Sequence, residues 1–274
     1  MIRDITIGQY YPAKSILHRL DPRVKLVSTL LYLISLFLFK SIPGYIVATV
    51  FLITVIQMSR VPISFIVKGL KPIIMLLLIT VLFNLFLTRD GDVLFHAWIF
   101  TITEGGIRTA VYMAIRLIYL IIGSSLMTFT TTPNELTDGI ESLLHPLNKI
   151  RVPVHEVAMM MSIALRFIPI LLEETDKIMK AQIARGADLE NGNIIQRAKN
   201  MIPILVPLFV SAFRRANDLA MAMEARCYHG GDGRTKMKPL VYRGRDYLAY
   251  TVTILYMIAV IAIGRFVPFK LWIF

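Results

Sequence analysis

The chain has 274 residues, 56% of them hydrophobic, and its 30 Lys and Arg against 18 Asp and Glu give a formal charge of +12. With a mean hydropathy of +0.64 it falls in the membrane class, so the basic excess reads as cytoplasmic-side loop charge and not as a nucleic-acid footprint. Its single cysteine, Cys227, excludes an internal disulfide and a multi-cysteine metal site.

The N-terminus, MIRDITIGQYYPAKS, holds no apolar signal core with a cleavage site, and nothing in it predicts secretion. The next stretch, SILHRLDPRVKL, combines an Asp-Pro turn with basic residues just ahead of the first apolar run. Two readings stand for it: a turn with positive-inside anchors, or a structured arm that packs Asp21 and Arg23 against cytoplasmic helices. Apolar runs follow at 24–39, 45–58, 73–87, 110–129 and, near the end, 247–264. They predict an all-α integral membrane protein with about five transmembrane helices, although several runs fall short of the ~20 residues of a straight crossing.

Loop charge orients the runs. The N-terminal arm carries Arg3, Lys14, Arg19, Arg23 and Lys25, and the second connection Arg60, Lys68 and Lys71. The third connection, 89–107, holds Arg89 against Asp90, Asp92 and Glu104. The positive-inside rule therefore predicts a cytoplasmic N-terminus, an external 89–107 loop and an external C-terminus, with Lys40 in the first outer connection as the weak point. Arg116, inside the fourth run, is expected to snorkel to the outer interface.

Residues 131–245 differ in kind. They hold 16 of the Lys and Arg and 12 of the Asp and Glu, and their longest uncharged stretch, 201–213, is too short to span. The division is thus 1–130 for the arm and first four crossings, 131–245 for a membrane-adjacent cytoplasmic helical domain, and 246–274 for the last crossing. Within the middle region TTPNELTDGIESLL predicts a short helix capped by Thr132 or Asn134, with Glu135 favouring its N-terminal end. Long helical patterns run over 153–184 and 194–225, each roughly 45 Å at 1.5 Å per residue, broken by GADLENGN and CYHGGDGRT. Pro169, Pro203 and Pro207 are expected to kink or bend them. Each pattern contains Ile-Pro-Ile-Leu, at 168–171 and 202–205, and leads from it to a small-Arg-small triplet: Ala184, Arg185, Gly186 and Ala225, Arg226, Cys227.

No GxxxxGK(S/T) phosphate loop occurs, HGGDGRT lacks a preceding strand and a phosphate-loop lysine, and the five histidines form no spaced ligand set. The runs are almost free of ionisable residues, so the membrane part reads as a scaffold and not as a pump. An arginine at a helix C-terminus complements the helix dipole and taken singly is a surface charge. Two of them, flanked by small residues that leave the backbone bare, instead suit close approach of a partner surface and pairing with carboxylates in two equivalent pockets. That pattern points to a dimeric or pseudo-dimeric partner.

The ordered set LDPRVKL, ALRFIPIL, AQIARGADLE and AMEARCYHGGDGRT, spanning residues 20–235, resembles the transmembrane T component of energy-coupling factor transporters, a family related to the cobalt-transport permease subunits. The resemblance implies a non-catalytic scaffold that joins a membrane-embedded, vitamin-binding S component to two cytosolic ABC-type ATPases, which bind the ATP and Mg²⁺; the chain itself has no cofactor. It implies two long crossed coupling helices. It also implies that Ala184, Arg185 and Gly186 form one ATPase-docking tip and Ala225, Arg226 and Cys227 the other. Asp21, Pro22, Arg23, Arg166 and Pro169 fall on family landmarks. The second tip departs from Ala-Arg-Gly at Cys227, whose small side chain preserves close approach while its backbone need not match the first tip. Met159, Met160, Met161, Met221 and Met223 either face the S component and the membrane interface or fill an ordinary core. Two further readings are a dedicated metal-ion permease subunit with one substrate-specific partner and an integral-membrane lipid enzyme; the second is disfavoured because no paired-carboxylate signature lies beside the membrane.

Overall fold

The computed structural model describes residues 10–39, 41–87, 93–97, 100–187, 193–230 and 237–266. Its helices in chain order are α1 (Pro22–Leu38), α2 (Ile42–Ser59), α3 (Ile63–Leu70), α4 (Ile74–Leu87), α5 (Glu104–Thr130), α6 (Pro133–Leu144), α7 (Val154–Ala184), α8 (Ile194–Glu224) and α9 (Gly244–Phe266), with strands β1 (Val93–Ala97) and β2 (Phe100–Thr103) ahead of α5. The described residues fall into two compact units, one from Ile140–Pro239 and one from Gly8–Gly139 with Leu240–Phe274. Together they form a helical, multi-pass membrane protein.

In the second unit α5 touches α1, α2, α3 and α4, and α9 lies on α1 and α2. The seam is aromatic: Phe51 of α2 stacks on Tyr256 of α9 at 4.2 Å and on Tyr32 of α1 at 5.8 Å between centroids. Hydroxyl pairs cross the same seam, Ser35 Oγ with Tyr256 OH at 2.7 Å and Thr253 Oγ1 donating to Ser28 Oγ at 3.1 Å. Such interhelical bonds hold membrane helices where lipid removes the hydrophobic drive. Gly123 of α5 lets the Tyr32 ring approach; a Cβ there would lie 2.8 Å from Tyr32 Cδ1. Outward faces stay apolar, with Met75 of α4 and Leu255 of α9 exposed, as lipid contact requires.

Four helices, α2, α5, α7 and α9, are long and apolar enough to cross a membrane, and α3 with α4 makes a fifth if that pair, bent by 62°, is one broken span. The expected number holds while its membership shifts. At 17 residues, α1 lies at the short end of spanning length, and α7 joins the set although its sequence region was expected to lack a crossing by composition. The bend has a local cause. Lys71–Ile73 forms a 3₁₀ turn containing Pro72, whose missing N–H interrupts the α-helical ladder. Lys68 and Lys71, expected in a connection, therefore belong to helical segments.

Two other expectations change. The hairpin pairs Val93 with Thr103 and Ala97 with Phe100 within the segment read as a plain loop, and Thr103 then caps α5 by accepting from Gly106 N–H at 3.1 Å. Arg116 is buried, at 8% exposure, and does not snorkel into solvent. Its Nη2 donates to the Phe39 carbonyl at 3.5 Å, setting the guanidinium at the negative end of α1.

In the first unit α7 and α8 lie antiparallel, 31 residues each. Glu141 of α6 joins His155 Nδ1 of α7 at 2.9 Å. Both long helices run without a break through Pro169, Pro203 and Pro207. Pro207 cannot donate to the Pro203 carbonyl, and Gln182 Nε2 of α7 donates to that oxygen instead, at 3.2 Å. Arg215 of α8 pairs with Glu174 of α7 at 3.3 Å farther along. Of the two expected caps of α6 it is Thr132 that serves, and Glu135 adds a reciprocal bond: Thr132 Oγ1 accepts from Glu135 N–H at 3.3 Å while Glu135 Oε2 accepts from Thr132 N–H at 3.2 Å.

Candidate functional site

Each triplet ends a long helix in the same way. At α7, Gly186 N–H donates to Ile183 O at 2.9 Å and Ala187 N–H to Gln182 O at 3.0 Å. At α8, Cys227 N–H donates to Glu224 O at 2.8 Å and Tyr228 N–H to Met223 O at 3.1 Å. Both are the paired bonds of a Schellman motif, in which the residue after the C-cap turns left-handed. Gly186 has φ +85° and Cys227 has φ +55°. Arg185 and Arg226 therefore each directly precede the left-handed residue of equivalent turns, and the backbone of the second tip matches the first despite the change from glycine.

Ala184, Arg185 and Gly186 are exposed, as are Ala225, Arg226 and Cys227, so among the described residues both guanidinium groups are open to solvent. With Gln182 beside Pro203, the antiparallel course puts Arg185 near the start of α8 and Arg226 23 residues beyond Pro203, on the order of 35 Å of helix. Arg166 and Pro169 are exposed on α7, more than four turns before Arg185, and belong to the shaft and not to the tip. Of the methionines, Met160, Met161 and Met221 are exposed while Met159 and Met223 are half-buried.

The left-handed slot carries a testable cost. A residue with a Cβ loses about 1 kcal/mol or more there relative to glycine. Cys227→Gly is expected to slow amide exchange across residues 223–228, and Gly186→Val to speed it across 182–187 by roughly tenfold. Hydrogen-exchange mass spectrometry of the full chain reads both; the opposite order would contradict the turn assignment.

Asp21, Pro22 and Arg23 form a separate cluster in the other unit. Asp21 caps α1 by accepting from Arg23 N–H at 2.9 Å, and Pro22 takes the first turn, where no N–H is needed. Arg23 closes a fork on the carboxylate, Nε to Oδ1 at 3.0 Å and Nη2 to Oδ2 at 2.9 Å, and lies 3.9 Å over the Tyr242 ring. Burial pushes the Asp21 carboxyl up, but the hydrogen bonds and charge of Arg23 outweigh it and hold the carboxyl below its ordinary 3.8. The fork is thus complete at neutral pH and is lost only as pH falls through that lowered value. Pro22 also seats against Gly139 of α6, where an added Cβ would meet Pro22 Cβ at 3.1 Å.

The residue that sequence reasoning missed is Asp246. It is 1% exposed; its Oδ1 accepts from Asp21 N–H at 2.9 Å and its Oδ2 from Arg243 N–H at 2.8 Å. One carboxylate therefore caps the starts of both α1 and α9. The local signal was present, an acid three residues after the cap position in RGRD, but it read as the edge of an apolar run. Gln182, Glu174 and Arg215 were missed for the same reason: each bonds across helices. Among the described residues no three His, Cys, Asp or Glu side chains converge as metal ligands.

Apolar helices of spanning length, with an antiparallel helix pair between the fourth and the last of them, define a multi-pass helical membrane protein. The chain belongs to the CbiQ cobalt transport protein family, whose model matches residues 13–237. It is 60% identical over 250 residues to the energy-coupling factor transporter transmembrane protein EcfT of Clostridium kluyveri, covering 91% of this chain and 93% of that protein. The protein of the same name from Bacillus subtilis is 51% identical, over 90% of this chain and 93% of its own. That of Thermosediminibacter oceani is 50% identical, over 99% and 100%.

Proposed function

We propose that this chain is the T component of an energy-coupling factor importer, a non-catalytic scaffold between two cytosolic ABC-type ATPases and a substrate-binding S component. The observation that carries the reading is the identity of the two tips: arginines at the same position of the same helix-ending turn, on two antiparallel helices tied to each other. The name of the relatives supports it. Arg185 and Arg226 each enter a groove on one ATPase, where a carboxylate pairs with the guanidinium and the flanking small residues allow contact. ATP and Mg²⁺ act in the ATPases. Their closing and opening moves the tips, and because Gln182–Pro203 and Glu174–Arg215 tie the helices, displacement of the tips turns the pair as a unit. The apolar faces of α7 and α8 carry that motion to the S component.

The N-terminus, α7 and α8 are assigned to the cytoplasmic side. Helix α7 passes the length and composition test for a crossing, but its partner α8 would then bring Arg197, Lys199, Arg214 and Arg215 into hydrocarbon, which is costly. The pair is therefore left out of the crossings, and α1, 17 residues long, is counted as the first of five. A second reading, a dedicated metal-ion permease subunit, is favoured by the family's description as cobalt transport proteins; one fixed S-type partner in place of several would support it.

The test is purification with native partners and labelling in a Cys227→Ser background. Two ATPase subunits should co-purify, the isolated chain should not hydrolyse ATP, and an impermeant maleimide should reach a cysteine at position 105 from outside and one at position 199 only from inside. ATPase activity that survives stringent removal of partners, or the reverse labelling, would overturn the proposal.

A further inference from the structure

A cavity of about 410 Å³ lies between α1, α2, α5 and α9, at the end where α1 and α9 begin and α2 and α5 finish. Its walls are apolar, with Val24, Leu52, Val55, Leu126, Leu248 and Val252 among them. The charged residues that line it are Lys25 and Arg245, both cationic. Lys25 is 7% exposed, and its Nζ donates to the backbone carbonyls of Thr130 at 2.7 Å and His18 at 3.4 Å. Arg245 Nε is buried and has no hydrogen-bond partner among the described residues.

The carboxylates of Asp21, Asp246 and Glu135 act on the Lys25 charge from nearby, but none lines the cavity and each has hydrogen bonds of its own. Asp21 is held by Arg23, Asp246 by two backbone N–H groups and Glu135 by Thr132 N–H. A buried guanidinium nitrogen without an acceptor is costly, so the cationic end of this slot calls for an anion. From Arg245 to Thr253 the cavity follows α9 for about 12 Å, an apolar wall beneath a positive mouth. The mouth lies at the first turn of α9, where its apolar stretch of spanning length begins at Gly244, the end of a crossing that meets lipid headgroups.

We infer that this cavity binds one anionic phospholipid, with an acyl chain between α1, α2, α5 and α9 and its phosphate at Arg245 and Lys25. The site rests on the membrane placement of these helices and does not depend on what docks at the arginine tips. The charge complementarity selects a lipid over an uncharged amphiphile, and the apolar walls select it over a free phosphate.

Full-length protein exchanged into detergent with equal parts phosphatidylglycerol and phosphatidylcholine, then read by native mass spectrometry, tests it. The wild type should retain one phosphatidylglycerol with about tenfold preference, the worth of one charge-assisted hydrogen bond. Arg245→Gln should abolish the preference and Arg245→Lys should keep most of it. Ala249→Phe, which fills the slot, should expel both lipids. Equal retention of the two lipids by the wild type would overturn the assignment. So would undiminished phosphatidylglycerol in Ala249→Phe, which decides the question if Arg245→Gln fails to fold. Inorganic phosphate displacing the lipid at matched concentration would make this an ion site and equally refute it.

Discussion

Uptake and ATPase co-purification are both expected to vanish in the double variant Arg185→Glu, Arg226→Glu, while the chain itself still inserts and folds. Each arginine is exposed and caps its helix through its backbone N–H, Arg185 to Ala181 and Gln182 and Arg226 to Met223, so the side chain contributes little to the fold of its own unit. Dipole compensation at a helix C-terminus is worth about 0.3–1 kcal/mol. Truncating or reversing one partner of a desolvated charge pair costs about 2–5 kcal/mol. The gap between these figures makes the test decisive: a dipole role predicts a small loss of stability and no loss of assembly. Single reversals should weaken assembly by less than the double, because the remaining tip keeps the ATPase pair tethered at high effective concentration. Since the two turns share one backbone geometry, the two single variants should fall within about tenfold of each other.

The second large effect is expected at Asp246. Asp246→Ala removes the acceptor of two backbone N–H groups at a residue 1% exposed, and unpaired buried donors cost about 1–3 kcal/mol each. Thermal denaturation of the purified chain should show a loss of about 2–6 kcal/mol. Asp246→Asn, which retains an amide oxygen, should recover part of it. Because the carboxylate joins the starts of α1 and α9, cysteine cross-linking between those two helix ends should fall in parallel. Wild-type stability of Asp246→Ala would mean that the two N–H groups find water and that the link is incidental.

Much of the helical plan was legible because its signals are local. Asp21 with Pro22, Thr132 with Glu135, and Gly186 after Ala184 each encode a helix end within a few residues. The proline-marked shafts of α7 and α8 ended within a residue of the expected positions. What escaped was encoded between distant positions. Asp246 caps a residue 225 positions away, and Arg116 serves the carbonyl of Phe39 77 positions away; a sequence shows only an acid at the edge of a run and a cation inside one. Helix α3 was hidden by Lys68 and Lys71, whose charges resemble a connection although Ile63, Ile66 and Val67 keep a helical spacing. The equivalence of the tips was hidden too, because glycine advertises a left-handed slot and cysteine does not.

Cys227 also sharpens what the two arms share. A turn held left-handed by a residue that disfavours it is kept by its own Schellman bonds, so the motif at α8 depends on geometry more than on residue identity. Gly186 and Cys227 both leave the adjoining guanidinium open, which is the property that a groove on a partner needs.

Photo-cross-linking from the tips tests the central claim most directly. A photoreactive residue placed at Ala184 and, separately, at Ala225 in cells containing the native partners should capture an ATPase subunit at both positions. Capture at the two positions of lipid, of another membrane protein or of nothing, with an intact and folded chain, would contradict the assignment of Arg185 and Arg226 as docking plugs.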